Sequence, residues 1–263
     1  MNLCYTALSP FCRKVRMVLD HMGVPYEVTD SCDIRKHPAF SPRAEIPILQ
    51  DGDVTVRNSA TIVDYLTKRF PDAPSPFPES ASDFALAKEW EIVADTMHDP
   101  IITNVAIFVW GDLPPAPDGL MEAARTDIRA IYKRLDKALA GRDYPAGRLS
   151  IADFALFPQI HAAQNLGLAF DKETQAHVAR WYASLLNHPM MRNDLGHVMR
   201  WWKDRANQDV ETDRINWGTY RLEWFLAHGF HDFFMNEVER GAVIWSVGAN
   251  NNAMNSPLYR MAS

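Results

Sequence analysis

A strand, a capped helix and a second strand succeed one another at the start of the chain, and this order restricts the folds available to it. Residues 2–6 are predicted to form a strand, and apolar residues recur at helical spacing over residues 11–22. The opposite face of this helix carries the charged residues Arg13, Lys14, Arg16 and Asp20. Gly23 and Pro25 end the helix, and residues 26–29 form a second strand. Because strands joined through a helix form a parallel pair, the sequence predicts an α/β domain.

The helix begins at Ser9, whose side-chain oxygen can accept a hydrogen bond from a first-turn amide. Pro10 suits the first helical position, because its fixed φ is already helical and its missing N–H has no helical partner there. Cys12 falls in the same turn, beside the positive end of the helix dipole and near Arg13 and Arg16. This position predicts stabilisation of a thiolate, either that of Cys12 or that of a ligand. The alternative is a capped helix with a buried cysteine.

A second motif places a proline at the head of a strand. Residues 45–49 are Glu-Ile-Pro-Ile-Leu, Asp51-Gly52 is predicted to turn the chain, and residues 54–56 return as a strand. A proline before a strand that looks internal is unusual, because proline cannot donate a ladder hydrogen bond. Two interpretations stay open: a cis Ile46–Pro47 bond, which would leave the Ile46 amide facing a ligand, or a proline on an edge strand.

A third motif starts the next helix at Asn58-Ser59, with either residue as its cap. The first-turn amides and the dipole of such a helix form a site for an anion such as a carboxylate. Phe70-Pro71 closes the helix, and a proline-rich linker follows.

The rest of the chain reads as helical, and Ser150-Ile151-Ala152-Asp153 has the spacing of a capping box. We therefore interpret Asp153 as a folding residue rather than a catalytic acid. The predicted organisation is an α/β domain over residues 1–72, a linker over 73–81, an all-helical domain over 82–205 and an aromatic-rich, partly helical extension over 206–263.

Composition narrows the classes of partner. The formal charge of -6 argues against nucleic acid, and no stretch reaches the roughly 18 uninterrupted apolar residues of a membrane-spanning helix. The three cysteines show no metal-site spacing, which favours a reduced, cytoplasmic protein without a metal. His228 and His231 lie near Asp232 and Glu237, but without a further spaced ligand they are not predicted to bind a metal.

Three motifs in this order resemble the thioredoxin-like domain of cytosolic glutathione transferases. They are Ser9-Pro10-Phe11-Cys12, Ala44-Glu45-Ile46-Pro47-Ile48-Leu49 and Asn58-Ser59-Ala60-Thr61-Ile62. The resemblance implies a thioredoxin-like domain followed by an all-helical bundle, a homodimer, and glutathione as co-substrate with a small apolar electrophile.

The resemblance also implies roles for individual residues. Ser9 would donate a hydrogen bond to the glutathione thiolate, which lowers the thiol pKa. Ile46, before Pro47, would pair its backbone with the cysteinyl portion, and Phe11 would lie beside the same ligand. Ser59 would bind the γ-glutamyl carboxylate. Lys36 is predicted to bind the glycyl carboxylate, with Arg35 and Arg43 as alternatives.

Two departures from the family pattern leave other functions open. Asn58 stands where the family usually has a glutamate or glutamine for the γ-glutamyl ammonium, so the charge-assisted bond is lost. Redox relatives carry Cys where Ser9 stands, whereas here Cys12 occupies the second, normally resolving, position. The alternatives are a glutathione-dependent thiol transferase or reductase that uses Cys12, and a non-catalytic binding or regulatory protein.

The second-substrate pocket of such enzymes lies between the domains. Candidate lining residues are Met97, His98, Asn104, Ile107 and Phe108. The extension is predicted to wall this pocket or to seal the dimer.

Overall fold

The computed structural model describes residues 1–30, 45–110, 115–205 and 215–244. The N-terminal domain contains β1 (Asn2–Tyr5), α1 (Pro10–Met22), β2 (Glu27–Asp30), β3 (Ile48–Asp51), β4 (Val54–Arg57) and α2 (Ser59–Arg69). The strands form one four-stranded sheet in the order β2-β1-β3-β4. The β1–β2 pair is parallel and the other pairs are antiparallel, so the predicted parallel pair is confirmed within a mixed sheet.

The ends of α1 follow the predicted chemistry. The Ser9 side chain accepts the hydrogen bond of the Cys12 amide, and Pro10 occupies the first helical turn. Gly23 takes a left-handed conformation with φ of 67°, in which its amide bonds to the last carbonyls of the helix. Strand β2 begins at Glu27, one residue later than predicted.

The C-terminal domain is mostly helical. Its elements are α3 (Ala81–Val93), a π-helical segment (Ala94–His98), α4 (Asp99–Trp110), α5 (Leu120–Ala138), α6 (Ile151–Asn165), α7 (Ala176–Asn187), α8 (Pro189–Arg205), β5 (Ile215–Asn216), α9 (Thr219–Ala227), α10 (His231–Glu239) and β6 (Val243–Ile244). Helix α3, the π-helical segment and α4 form one continuous helical run. This architecture confirms the predicted two-domain fold class.

Helix α6 lies at the centre of the bundle, and almost all of its residues are buried. Its capping box is confirmed: the Ser150 amide donates to the Asp153 carboxylate at 2.9 Å. The same carboxylate accepts the indole N–H of Trp181 at 2.8 Å, and Asp153 is fully buried. These contacts support the interpretation of Asp153 as a folding residue.

The described part of the extension packs on α4 and the start of α5. Trp217, Phe225, Phe234 and Val243 form a second apolar cluster with Leu120. The indole N–H of Trp217 donates to Asn104 at 2.9 Å, and the Arg221 guanidinium binds Asp99 at 2.9 Å. The extension is therefore attached through both apolar and polar contacts.

The helical run Ala81–Trp110 is long and apolar enough, by length and composition alone, to cross a membrane. Half of its most apolar window is buried inside the bundle, and Glu91, Asp95 and Asp99 along it take part in ion pairs. Burial against other helices accounts for this composition, because a core helix of a bundle is apolar on most faces.

Candidate active site

The register of the sheet brings the three sequence motifs to one end of it. Cys4 of β1 lies opposite Ile48 of β3, and Ile48 lies opposite Arg57 of β4. The loop that follows β1 leads to Ser9, the Ile46–Pro47 bond precedes β3, and Asn58-Ser59 follows β4. The start of α1, the proline motif and the start of α2 therefore share one edge of the domain.

Ser9 presents its hydroxyl at the first turn of α1. Its oxygen accepts the Cys12 amide at 3.4 Å, while the Ser9 backbone is fixed by its amide bond to the Thr6 carbonyl and by the Arg13 amide. The cap uses an oxygen lone pair, so the hydroxyl can still donate its proton. The side chain is half-buried at the positive end of the helix, where a thiolate is favoured.

Cys12 faces the interior of the domain. Its side chain has no exposed surface, and burial raises the pKa of the thiol to about 12, outweighing the bond to Ser9 and the field of Arg16. A nucleophilic cysteine needs access and a low pKa. The surroundings of Cys12 are those of a small buried apolar residue.

Pro47 stands immediately before an internal strand. Strand β3 lies between β1 and β4, and the Ile46–Pro47 peptide bond is cis. Pro47 is buried, and Ile46 is half-buried against the core. The proline thus needs no ladder partner, because it precedes the first paired residue of the strand.

Asn58 caps α2 and has φ of 70°. Its side-chain oxygen accepts the amides of Ala60 at 3.1 Å and Thr61 at 3.3 Å. A carbonyl oxygen has two lone pairs, so in this conformation Asn58 serves the helix rather than a ligand ammonium. The Ser59 amide remains as the first-turn donor for an anion, and Ser59 is itself buried.

The predicted basic residues of the glutathione site, Lys36, Arg35 and Arg43, lie outside the described residues, as does Ala44 of the second motif.

The charged residues of α1 are buried, and the expectation of a charged face opposite the core is wrong for three of them. Arg13, Lys14 and Arg16 are exposed by only 3, 0 and 1%. Arg13 donates twice to Asp194 of α8, at 2.9 and 2.7 Å, and Arg16 lies 3.7 Å from the same carboxylate. The helix lies between the sheet and the bundle, so both of its faces are covered.

Lys14 forms a second bridge to the helical domain. Its ammonium contacts Glu91 at 3.0 Å and Asp95 at 2.5 Å. Sequence reasoning missed both carboxylates. The available signal was the spacing of Glu91, Asp95 and Asp99, four residues apart in an otherwise apolar helix, which places them along one side.

Most candidate pocket residues have other partners. Asn104 is fully buried between Trp217 and the Arg221 carbonyl, and Ile107 and Phe108 pack on the second apolar cluster. These three residues bind the extension instead of lining a cleft between the domains. Met97, by contrast, is 49% exposed.

His98 is fully buried with its ring edge-to-face against Tyr132. Neither ring nitrogen has a hydrogen-bond partner among the described residues, and burial lowers the pKa of His98 to about 4. His98 therefore carries no charge at neutral pH and does not line an open pocket.

A surface hollow of about 500 Å³ lies at the opposite end of the sheet, beside Asn2, Tyr26 and Gln50. Asn2 pairs with Gln50, two positions along the β1–β3 ladder from Cys4 and Ile48. The convergence of the motifs, rather than the size of this hollow, locates the candidate site. Within the described ranges, no group of three or more His, Cys, Asp or Glu side chains is arranged to hold a metal ion.

Comparison with known families matches both domains. Residues 3–74 match the family described as glutathione S-transferase, N-terminal domain, and residues 118–184 match glutathione S-transferase, C-terminal domain. The chain belongs to the cytosolic glutathione transferase superfamily. This result confirms the resemblance found in the sequence.

Individual relatives are distant but extensive. The chain is 26% identical to glutathione S-transferase-like protein OpS6 of Beauveria bassiana over 68% of this chain and 87% of that protein. A glutathione S-transferase from Rhodospirillum rubrum has a similar fold, with a TM-score of 0.64 and 22% identity over 74% of this chain and 91% of that chain. Ure2p in complex with S-hexylglutathione is similar at a TM-score of 0.64 and 20% identity, over 74% and 97% of the two chains.

Proposed function

We propose that this chain is a glutathione transferase in which the Ser9 hydroxyl stabilises the glutathione thiolate for attack on a small apolar electrophile. The observation that carries the proposal is the sheet register, which brings Ser9, Ile46–Pro47 and Ser59 to one edge of the N-terminal domain. Family membership supports glutathione as the co-substrate, as does the S-hexylglutathione bound by one structural relative.

Each part of glutathione has a partner of suitable chemistry in this proposal. The Ser59 amide and hydroxyl bind the γ-glutamyl carboxylate at the start of α2. The Ile46 backbone, before Pro47, pairs with the cysteinyl portion, and Phe11 lies beside it. Lys36, or in its place Arg35 or Arg43, binds the glycyl carboxylate. Asn58 contributes through its helix cap, which leaves the γ-glutamyl ammonium without a charged partner from this position.

Ionisation of the bound thiol depends on Ser9 and the N-terminus of α1. A hydroxyl that donates to the thiolate favours the charged form, and the helix dipole acts in the same direction. The thiolate then attacks the electrophile. In this proposal the protein is a cytoplasmic homodimer without a metal.

The test compares Ser9→Ala with Cys12→Ala. Loss of a hydrogen bond to a charged group costs about 1.5–3 kcal/mol, so Ser9→Ala is expected to lower kcat for an aryl chloride by roughly tenfold to a hundredfold. It should also raise the pKa of the bound thiol, followed by thiolate absorbance. Cys12→Ala should leave this pKa within error.

Three results would overturn the proposal. Loss of activity in Cys12→Ala with retention in Ser9→Ala would indicate thiol transfer or reduction. Absence of glutathione binding by calorimetry would exclude both enzymatic readings, and binding without turnover would indicate a regulatory protein.

A further inference from the structure

The π-helical segment Ala94–His98 interrupts the long helix beside α1. Such segments recur at functional sites, because the altered turn redirects side chains. Asp95 lies within this segment, and its carboxylate meets Lys14 across the domain interface at 2.5 Å. The segment thus places an acid against the helix whose first turn carries Ser9.

Asp95 is the accessible member of a buried charged cluster. Lys14 and Glu91 are almost wholly enclosed, whereas 20% of the Asp95 side chain is exposed. Lys14 also lies 5.8 Å from the centre of the Phe11 ring. Through this shared lysine, the Asp95 carboxylate is held beside Phe11, two residues from Ser9.

The charges of the cluster distinguish its two carboxylates. Glu91 is bound by Lys14 at 3.0 Å and by Lys88 at 2.5 Å, and these lysines hold the pKa of Glu91 below its usual value despite burial. Burial raises the pKa of Asp95 to about 6, against the attraction of Lys14 and together with repulsion from Glu91 and Asp99. Asp99 is in turn paired with Arg221. Asp95 is therefore the carboxylate that takes up a proton near neutral pH.

We propose that Asp95 is a further catalytic residue, a general acid that protonates the oxygen released when the glutathione thiolate opens an epoxide. The inference rests on the proposed function and deepens it, because it names epoxides as a substrate class. An aryl chloride releases chloride, which needs no proton, whereas an opened epoxide leaves an alkoxide that must be protonated.

The step balances without any further reactant. Sulfur forms a bond to one epoxide carbon, and the carbon–oxygen bond breaks with its electron pair moving to oxygen. The oxygen takes the proton of the Asp95 carboxyl and becomes a hydroxyl. The carboxylate, stabilised by Lys14, regains a proton from water, which balances the proton that glutathione lost on ionisation.

The test is Asp95→Asn, assayed with a nitrophenoxy-substituted epoxide and with chlorodinitrobenzene. General acid catalysis contributes about 10²–10⁴-fold, so the epoxide kcat should fall about a hundredfold more than the aryl chloride kcat. In the unaltered protein, the ratio of epoxide to aryl chloride rates should fall as pH rises through about 6. Asp95→Glu, which keeps the carboxyl group, should recover part of the epoxide rate.

Glu89→Gln is the matched control, because Glu89 lies on the same helical run with an exposed carboxylate paired to Arg134. It should alter neither rate. Equal losses for both substrates in Asp95→Asn would show a tether of α1 and overturn the proposal, as would an epoxide rate that does not fall or no epoxide turnover by the unaltered protein. Failure of the unaltered protein to conjugate the aryl chloride would instead refute the proposed function.

Discussion

Ser9 and Cys12 lie in one turn of α1, yet their surroundings assign them opposite chemistry. Ser9 is half-buried at the helix end, whereas Cys12 points into the core with its thiol protonated by burial. The sequence was sufficient to predict the Ser9 cap, because capping depends on neighbours in the chain. It left the state of Cys12 open, because burial depends on the sheet and bundle packed around the helix.

His98 provides a prediction at the same scale. Its pKa is about 4 in the folded protein and 6.5 in an unfolded chain, so between these values the unfolded state binds more protons. The free energy of unfolding should therefore fall as pH falls through this window, with a contribution from His98 of about 2 kcal/mol between about pH 7.5 and about pH 5. His98→Leu should remove that part of the slope, measured by urea unfolding at the two pH values.

The control for this prediction is His231→Gln, since His231 is exposed at the start of α10. It should leave the slope as it is. A slope unchanged in His98→Leu would show that His98 is already protonated or has a partner at low pH. Buried His161, whose pKa burial also lowers to about 4, should retain its own contribution in both variants.

Helix α1 connects the two domains through ions, and this is the element that pattern analysis described least well. The positions of its ends were predicted correctly from Ser9, Pro10 and Gly23. Helical periodicity placed Arg13, Lys14 and Arg16 opposite the apolar stripe, but periodicity cannot show that a second domain covers that side. Their partners lie at least 77 positions away in the chain, beyond the reach of local patterns.

Asp194→Ala tests this connection. The substitution leaves the Arg13 and Arg16 guanidinium groups buried without their carboxylate, and breaking a buried pair from one side costs about 3–5 kcal/mol. We expect a loss of that size in urea unfolding. Glu89→Ala, which breaks the exposed Arg134 pair, should cost about 0–1 kcal/mol. Similar small losses in both variants would mean that the Asp194 site is hydrated.

At the scale of the whole molecule, the two-domain fold was predictable because its three motifs and its capping box each have local sequence signatures. The proposed limits of the domains and linker remain predictions. The packing of the extension was open to two readings, because an aromatic-rich segment does not identify its partner surface. The structure places its described part on Asn104, Ile107 and Phe108, which had been predicted to line the substrate pocket.

Trp217→Phe tests whether the extension folds as part of the same cooperative unit. It removes the donor to Asn104, whose buried oxygen then lacks that partner, at a cost of about 1–3 kcal/mol. The loss should appear in a single urea transition with an unchanged m-value. Tyr220→Phe, at an exposed position of α9, should change the free energy of unfolding by less than about 0.5 kcal/mol. Two separate transitions would contradict a common unit.

The π-helical segment also sets the angular phase of everything that follows it. Each residue of an α-helix advances the chain by about 100° around the axis, so losing one residue within Ala94–His98 would rotate α4 by about that angle. Lys14 would keep Glu91, which precedes the segment, while Asn104 would turn away from Trp217. An in-frame deletion of one codon in this segment should therefore detach the extension from α4, whereas the same deletion in an exposed loop should be tolerated.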